Sequence, residues 1–189
     1  MSLPTTKTEK VTYQDYFKIN NDKRYEVITG DLIMVPAPNT EHQSISRKIE
    51  IKLCNLVYSG KLGEVYDAPI DVILDDNNVV QPDIIYIAQE NKNIIKEKGI
   101  YGPPDLVIEI ISPSSKYRDT YIKKDLYESF KIKEYWLVDP KNKNILIFVL
   151  NEKEKYELFS EGFLEEEDKQ IVKSRVIETF EIKMDEVFN

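Results

Sequence analysis

Leu106-Val107-Ile108-Glu109-Ile110-Ile111 sets one acid among five large apolar residues. The run does not alternate, so it reads as a central strand covered on both faces. A carboxylate there loses its water on folding, and an ionised one is kept inside only if paired, hydrogen-bonded or bound to metal. Glu109 is therefore the first candidate for chemistry.

The elements on either side of that strand follow from its punctuation. Gly102-Pro103-Pro104 precedes it, and Ser112-Pro113-Ser114-Ser115 caps a helix from about Lys116 to Phe130. Upstream, Val79-Val80-Gln81-Pro82-Asp83 leads into a second apolar strand, Ile84 to Ile87, and the polar stretch 89–99 reads as a loop or weak helical turn. Downstream, Glu134 to Val138 and Ile145 to Leu150 read as strands joined through Asp139–Asn144, and Tyr156 to Phe159 could add another. Nearer the N-terminus, residues 12–20 predict a short helix, and Thr29-Gly30-Asp31 joins Tyr25–Ile28 to Leu32–Val35 as a hairpin. Thr40 with Gln43 has the spacing of a capping box, opening a helix with an inner stripe of Ile45, Ile49, Leu53, Leu56 and Val57. Cys54 beside that stripe reads as a small buried residue, Gly60 and Gly63 as the helix end, and Ala68 to Leu74 as a strand before the turn Asp75–Asn78. With no internal repeat and no linker, one α/β (α+β) domain over residues 1–189 with a mixed sheet is expected, its first ten or so residues disordered.

A chain of 189 residues buries about 70% of its unfolded surface, enough for a core without staples. One cysteine excludes an intramolecular disulfide and a cysteine-rich zinc site. No apolar stretch approaches the roughly 20 residues that span a bilayer, and the N-terminus lacks a signal-peptide core, so a cytoplasmic protein with no membrane partner is expected. The net charge of −8 argues against indiscriminate binding to polyanions. Between Lys116 and Lys133, however, six basic residues face three acids, which suits a solvated helix face or a phosphate-facing surface.

Three features converge on the Glu109 strand. Asp83 stands at the entrance to the neighbouring strand, Glu109 lies 26 positions on, and Asp119, Lys123 and Tyr127 share a stripe of the following helix. Two carboxylates on adjacent strands can share a hard divalent cation, with carbonyl and water completing the oxygen shell. A lysine beside them can neutralise charge on a reacting phosphate or orient the attacking water. Taken singly, each has an ordinary reading: turn chemistry for Asp83 and a surface i,i+4 pair for Asp119 and Lys123.

Together, Gln81-Pro82-Asp83-Ile84, the run from Gly102 to Ser115, the Asp119/Lys123/Tyr127 stripe and Glu134-Tyr135-Trp136-Leu137-Val138-Asp139-Pro140 resemble the Uma-two family of restriction-type endonucleases. Tyr25 to Leu32 and the Pro38/His42 stretch resemble that family's opening signature, and the resemblance runs from about residue 13 to Phe188. It implies a PD-(D/E)XK nuclease core, a mixed sheet flanked by helices, with Asp83 and Glu109 as ligands of Mg²⁺ or Mn²⁺. The superfamily's usual lysine, two residues after the second acid, is replaced here by Ile111. Lys123 on the next helix matches the family's substitute, and Lys124, about 100° further round, ranks behind it.

The remaining candidates take supporting places. Glu26 matches an acid of the opening motif and serves as a further ligand, an orienter of water or a partner of Lys123, or else faces outward on its hairpin. His42 and Asp119 are expected just behind the ligands, the histidine neutral near its helix start, while Tyr127 and Trp136 read as core or wall and Asp139 as a turn residue. The expected activity is Mg²⁺-dependent hydrolysis of DNA phosphodiesters through Asp83, Glu109, Lys123 and Glu26, for which a homodimer fits. The alternative is a catalytically inactive nuclease fold that binds nucleic acid or a protein partner. A third reading makes the acids a purely structural pair.

Overall fold

The computed structural model describes residues 10–189, so the expected disordered start lies, but for Lys10, outside the described residues. In chain order the elements are α1 (Tyr13–Phe17), β1 (Arg24–Ile28), β2 (Asp31–Val35), α2 (Thr40–Gly60), β3 (Gly63–Asp67), β4 (Val72–Asp75), β5 (Asn78–Val80) and β6 (Ile84–Ala88). After a 3₁₀ turn come β7 (Ile95–Lys96), β8 (Gly99–Tyr101), β9 (Leu106–Ile110), a π-helical turn Arg118–Lys123 and α3 (Lys124–Ser129). The chain closes with β10 (Glu134–Asp139), β11 (Asn144–Leu150), β12 (Tyr156–Phe163), β13 (Ile171–Lys173), β14 (Glu181–Lys183) and α4 (Met184–Phe188). Among the described residues no helix is long and apolar enough to cross a membrane.

Two six-stranded sheets carry the molecule, in the orders β2-β1-β5-β4-β8-β7 and β12-β11-β10-β9-β6-β3. The second is mixed: β9 pairs parallel with β10 and antiparallel with β6. Every residue of β9 is buried, as its unbroken apolar run requires. Strand periodicity then divides its side chains. Leu106, Ile108 and Ile110 pack with Ile84, Tyr86 and the α2 stripe Ile45, Ile49, Leu53 and Val57. Val107 and Ile111 pack on the opposite face with Ile85, Ile87, Leu126, Tyr127 and Tyr135. Glu109 shares the parity of this second set, which turns it toward α3 rather than α2.

Several local expectations are corrected. The cap of α2 is Asn39, not Thr40: its side chain accepts from the His42 amide, so the helix already includes Thr40. The helix runs through Gly60 and is stopped by Lys61 in the left-handed region, while Gly63 opens β3, a strand the sequence reading passed over. The strand expected over Ala68–Leu74 begins only at Val72, after a bend at Pro69. Leu56 and Cys54 sit half-buried at the margin of the α2 stripe. Beyond Phe163, the β13–β14 pair and α4 had no signal in the sequence strong enough to predict them.

Candidate active site

The chain passes from the first sheet to the second at Gln81-Pro82-Asp83, between β5 and β6. In the antiparallel β6–β9 pair, Ile84 faces Ile108; one step further the register sets Asp83 across from Glu109. Directly opposed residues of an antiparallel pair point to the same side. Asp83 is held there through Oδ2, which accepts from the Ile110 amide at 2.8 Å and lies 3.1 Å from His42 Nε2. Glu26 arrives from the first sheet, its Oε1 taking the Gln81 amide at 2.9 Å.

Lys123 closes this group from the helix. Its ammonium lies 2.7 Å from Glu26 Oε1 and 2.8 Å from Glu109 Oε1, and Tyr127 donates to the same Glu109 oxygen at 2.6 Å. Four residues of α-helix overshoot a full turn by about 40°. A π turn, with more residues per turn, undershoots it. One step of each, from Asp119 to Lys123 and then to Tyr127, keeps the three side chains on one line facing Glu109. Tyr135 donates to the Asp119 carbonyl at 2.9 Å, tying that turn to the sheet.

Burial dominates the electrostatics. It pushes the Glu109 carboxyl well above the usual carboxylate range; the Lys123 charge pulls it back, while Asp119, Asp83 and Glu26 add to the rise. Asp119 is raised chiefly by burial as well, against the pull of Lys123 and Ser115. For Lys123 burial works against the charge, but Glu109, Glu26 and Asp119 outweigh it and hold the amine protonated, above its ordinary value. Burial and then Glu109 raise the Tyr127 hydroxyl, which stays a donor. Burial would lower the His42 imidazole, yet its hydrogen bond to Asp83 and the charge of that acid carry it above its usual value.

All of these groups but Tyr127 line a cleft of about 780 Å³ that also takes in Gln81, Ser115, Lys116 and Arg118. The sequence reading brought together Asp83, Glu109, Lys123, Glu26, His42 and Asp119, and all six border it. Lys124 does not join them: it turns away and lies 3.8 Å over the Phe148 ring. Asp139 caps its own turn, accepting from Asn142, as a turn residue does. Trp136 is fully buried and donates to Glu134. Arg118 and Gln81 are lining residues with no local signal. Arg118 was counted only within a basic stretch, and the placement of Gln81 depends on the sheet crossing, which no local pattern reveals.

Among the described residues no three His, Cys, Asp or Glu side chains are gathered closely enough to form a full metal shell. The donor set nevertheless suits a hard divalent cation. Asp83 Oδ1 and Glu109 Oε2 take no hydrogen bond from the described residues, and Glu26 Oε2 and Asp119 Oδ1 are buried acceptors without a partner. With every group ionised, seven carboxylates and five lysine or arginine side chains line the cleft, leaving two negative charges. That is the charge of one divalent ion, and two carboxylates with water or phosphate oxygens are its common coordination.

Comparisons with known proteins bear on the fold and the family. A crystal structure of "a putative nuclease belonging to DUF820" from Anabaena variabilis matches with a TM-score of 0.76 at 17% identity, covering 94% of this chain and 97% of that one. At that identity the likeness shows a shared fold. No curated protein matches the chain. The model of the Uma2 family, described as "Putative restriction endonuclease", matches residues 12–185, from the cap of α1 into α4, and so takes in both sheets and every side chain of the cleft. The chain therefore belongs to the Uma2 family.

Proposed function

We propose that this protein is a divalent-cation-dependent endonuclease that hydrolyses DNA phosphodiester bonds in the Asp83–Glu109 cleft. The observation that supports the reading most is the meeting of two acids from adjacent strands with a buried helix ammonium, Lys123, 2.8 Å from Glu109. Asp83 and Glu109 hold Mg²⁺ or Mn²⁺ through the oxygens their protein partners leave free. Such an ion supplies positive charge that polarises a phosphate oxygen and acidifies a nearby water.

The protein's own groups do the rest. Lys123 keeps its charge at all working pH values and places it beside the scissile group, where negative charge develops. Glu26 fixes that ammonium and is itself fixed by the Gln81 amide. Tyr127 and Lys123 both occupy Oε1 of Glu109, which orients its other oxygen. His42 and the Ile110 amide do the same for Asp83. Cutting both strands of a duplex suits a homodimer, and a cytoplasmic enzyme meets its DNA directly.

A single feature favours the alternative of an inactive, DNA- or protein-binding nuclease fold. Lys123 is only 2% exposed, and both its close contacts are acids of the protein itself, as in a purely structural ion cluster. Nicking of a supercoiled plasmid with Mg²⁺ or Mn²⁺ separates the readings. The parent is expected to cut, and Asp83→Asn, Glu109→Gln and Lys123→Met to lose about 100-fold or more. A parent that binds DNA without cutting, or cutting that survives unchanged in all three variants, rejects the proposal.

A further inference from the structure

Arg118 is a half-buried cation of the cleft that makes no side-chain hydrogen bond to the described residues. Arg24 donates to Gln81 at 2.9 Å, Lys116 pairs with Asp139 at 3.2 Å, and Lys123 is bound by Glu26 and Glu109. Lys141 stands on the exposed rim. The Arg118 side chain is only 15% exposed, yet its nearest acid atoms are Glu26 Oε2 at 3.7 Å and Asp119 Oδ1 at 3.9 Å. Both distances exceed a hydrogen bond. Arg118 Nε, Glu26 Oε2 and Asp119 Oδ1 are all buried without a partner.

A guanidinium cannot shed its charge, and leaving its buried Nε–H unbonded is costly. Proteins keep such a group where something else completes it. The two acids attract the Nε edge without saturating it, so they orient the planar head rather than consume it. Among the described residues nothing takes a hydrogen bond from its terminal nitrogens. The fork geometry of those nitrogens matches two oxygens of one phosphate, a fit that a lysine cannot reproduce.

Resting on the endonuclease reading above, we propose that Arg118 is the phosphate-binding residue of this cleft, steered by Glu26 and Asp119 and aimed at a DNA phosphodiester. It contacts backbone and not bases, so it contributes affinity without sequence preference. It also accounts for how an acidic protein holds a polyanion at a site lined with carboxylates: the arginine supplies positive charge where the acids would otherwise repel the substrate.

The test is binding of a short fluorescein-labelled DNA duplex to the full-length protein in EDTA, followed by anisotropy across a salt series. Arg118→Met is expected to weaken binding by about 10-fold or more and to reduce the salt slope by about one. Arg118→Lys keeps the slope, since the charge remains, but binds several-fold more weakly because the fork is gone. If Arg118→Met fails to fold, the lysine variant alone decides. Equal affinity in the parent and the folded variants overturns the assignment, and so does a parent that binds no DNA. Arg118-dependent binding by a parent that never cuts supports the assignment while refuting the endonuclease reading.

Discussion

Lys123 is bound on both sides by acids that cannot reach bulk water, so its removal strands them. Replacing one partner of such a buried cluster is expected to cost about 3–5 kcal/mol, because the uncompensated charges remain. Lys123→Met should therefore lower the urea midpoint strongly at neutral pH, and Lys123→Met/Glu109→Gln should recover part of the loss. A double variant no more stable than the single one contradicts the cluster as described. His42 offers a test of sign. Its pKa in the folded protein is raised above the ordinary 6.5, mainly by Asp83 acting against burial. The pair's contribution is then fully present below about pH 6.5 and lost as pH rises through the folded value. In metal-free protein, the stability gap between the parent and His42→Gln should be widest near pH 5.5 and shrink by pH 9. A gap that widens with pH excludes the pairing. Glu109 was legible at this scale because an acid inside an apolar run contradicts its surroundings. Arg118 was not, because a cation in a basic stretch looks like solvated surface until its neighbours are known.

The elements differ in how plainly their residues announce them, for identifiable reasons. The β9 strand and the helix that follows it were clear, since an unbroken apolar run and a Ser-Pro-Ser-Ser start leave few alternatives. The π turn at Arg118–Lys123 was invisible: it changes the pitch without changing residue types, yet it sets Asp119, Lys123 and Tyr127 in line. The start of α2 was misplaced by one residue because Asn39 and Thr40 are both good caps, and side-chain spacing cannot choose between them. β3 was missed because glycines near a helix end look like punctuation. Gly63 in fact begins a strand, at φ 157°, where an added Cβ would sit 2.0 Å from the Ile87 carbonyl oxygen. Gly63→Ala is therefore expected to break the β3–β6 edge and cost about 2 kcal/mol or more. Hydrogen exchange at β3 amides would report it, and protection equal to that of the parent would contradict the contact.

At the scale of the whole molecule, the site exists because the chain changes sheets. The Gln81–Asp83 crossing brings Glu26 of the first sheet to Asp83 and Glu109 of the second, and the helix sets Lys123 against Glu26 and Glu109. Which strands share a sheet depends on pairing between distant segments, and hydrophobic patterns do not encode it; this is why the two acids and the lysine were foreseeable while the role of Gln81 was not. The measurement that bears most directly on the central claim is calorimetric titration of metal-free protein with Mn²⁺. One site is expected in the parent, with its heat lost in both Asp83→Asn and Glu109→Gln while Lys124→Ala keeps it. A parent that takes up no Mn²⁺, or a Glu109→Gln isotherm that overlays the parent's, would show that the two acids do not grip a cation.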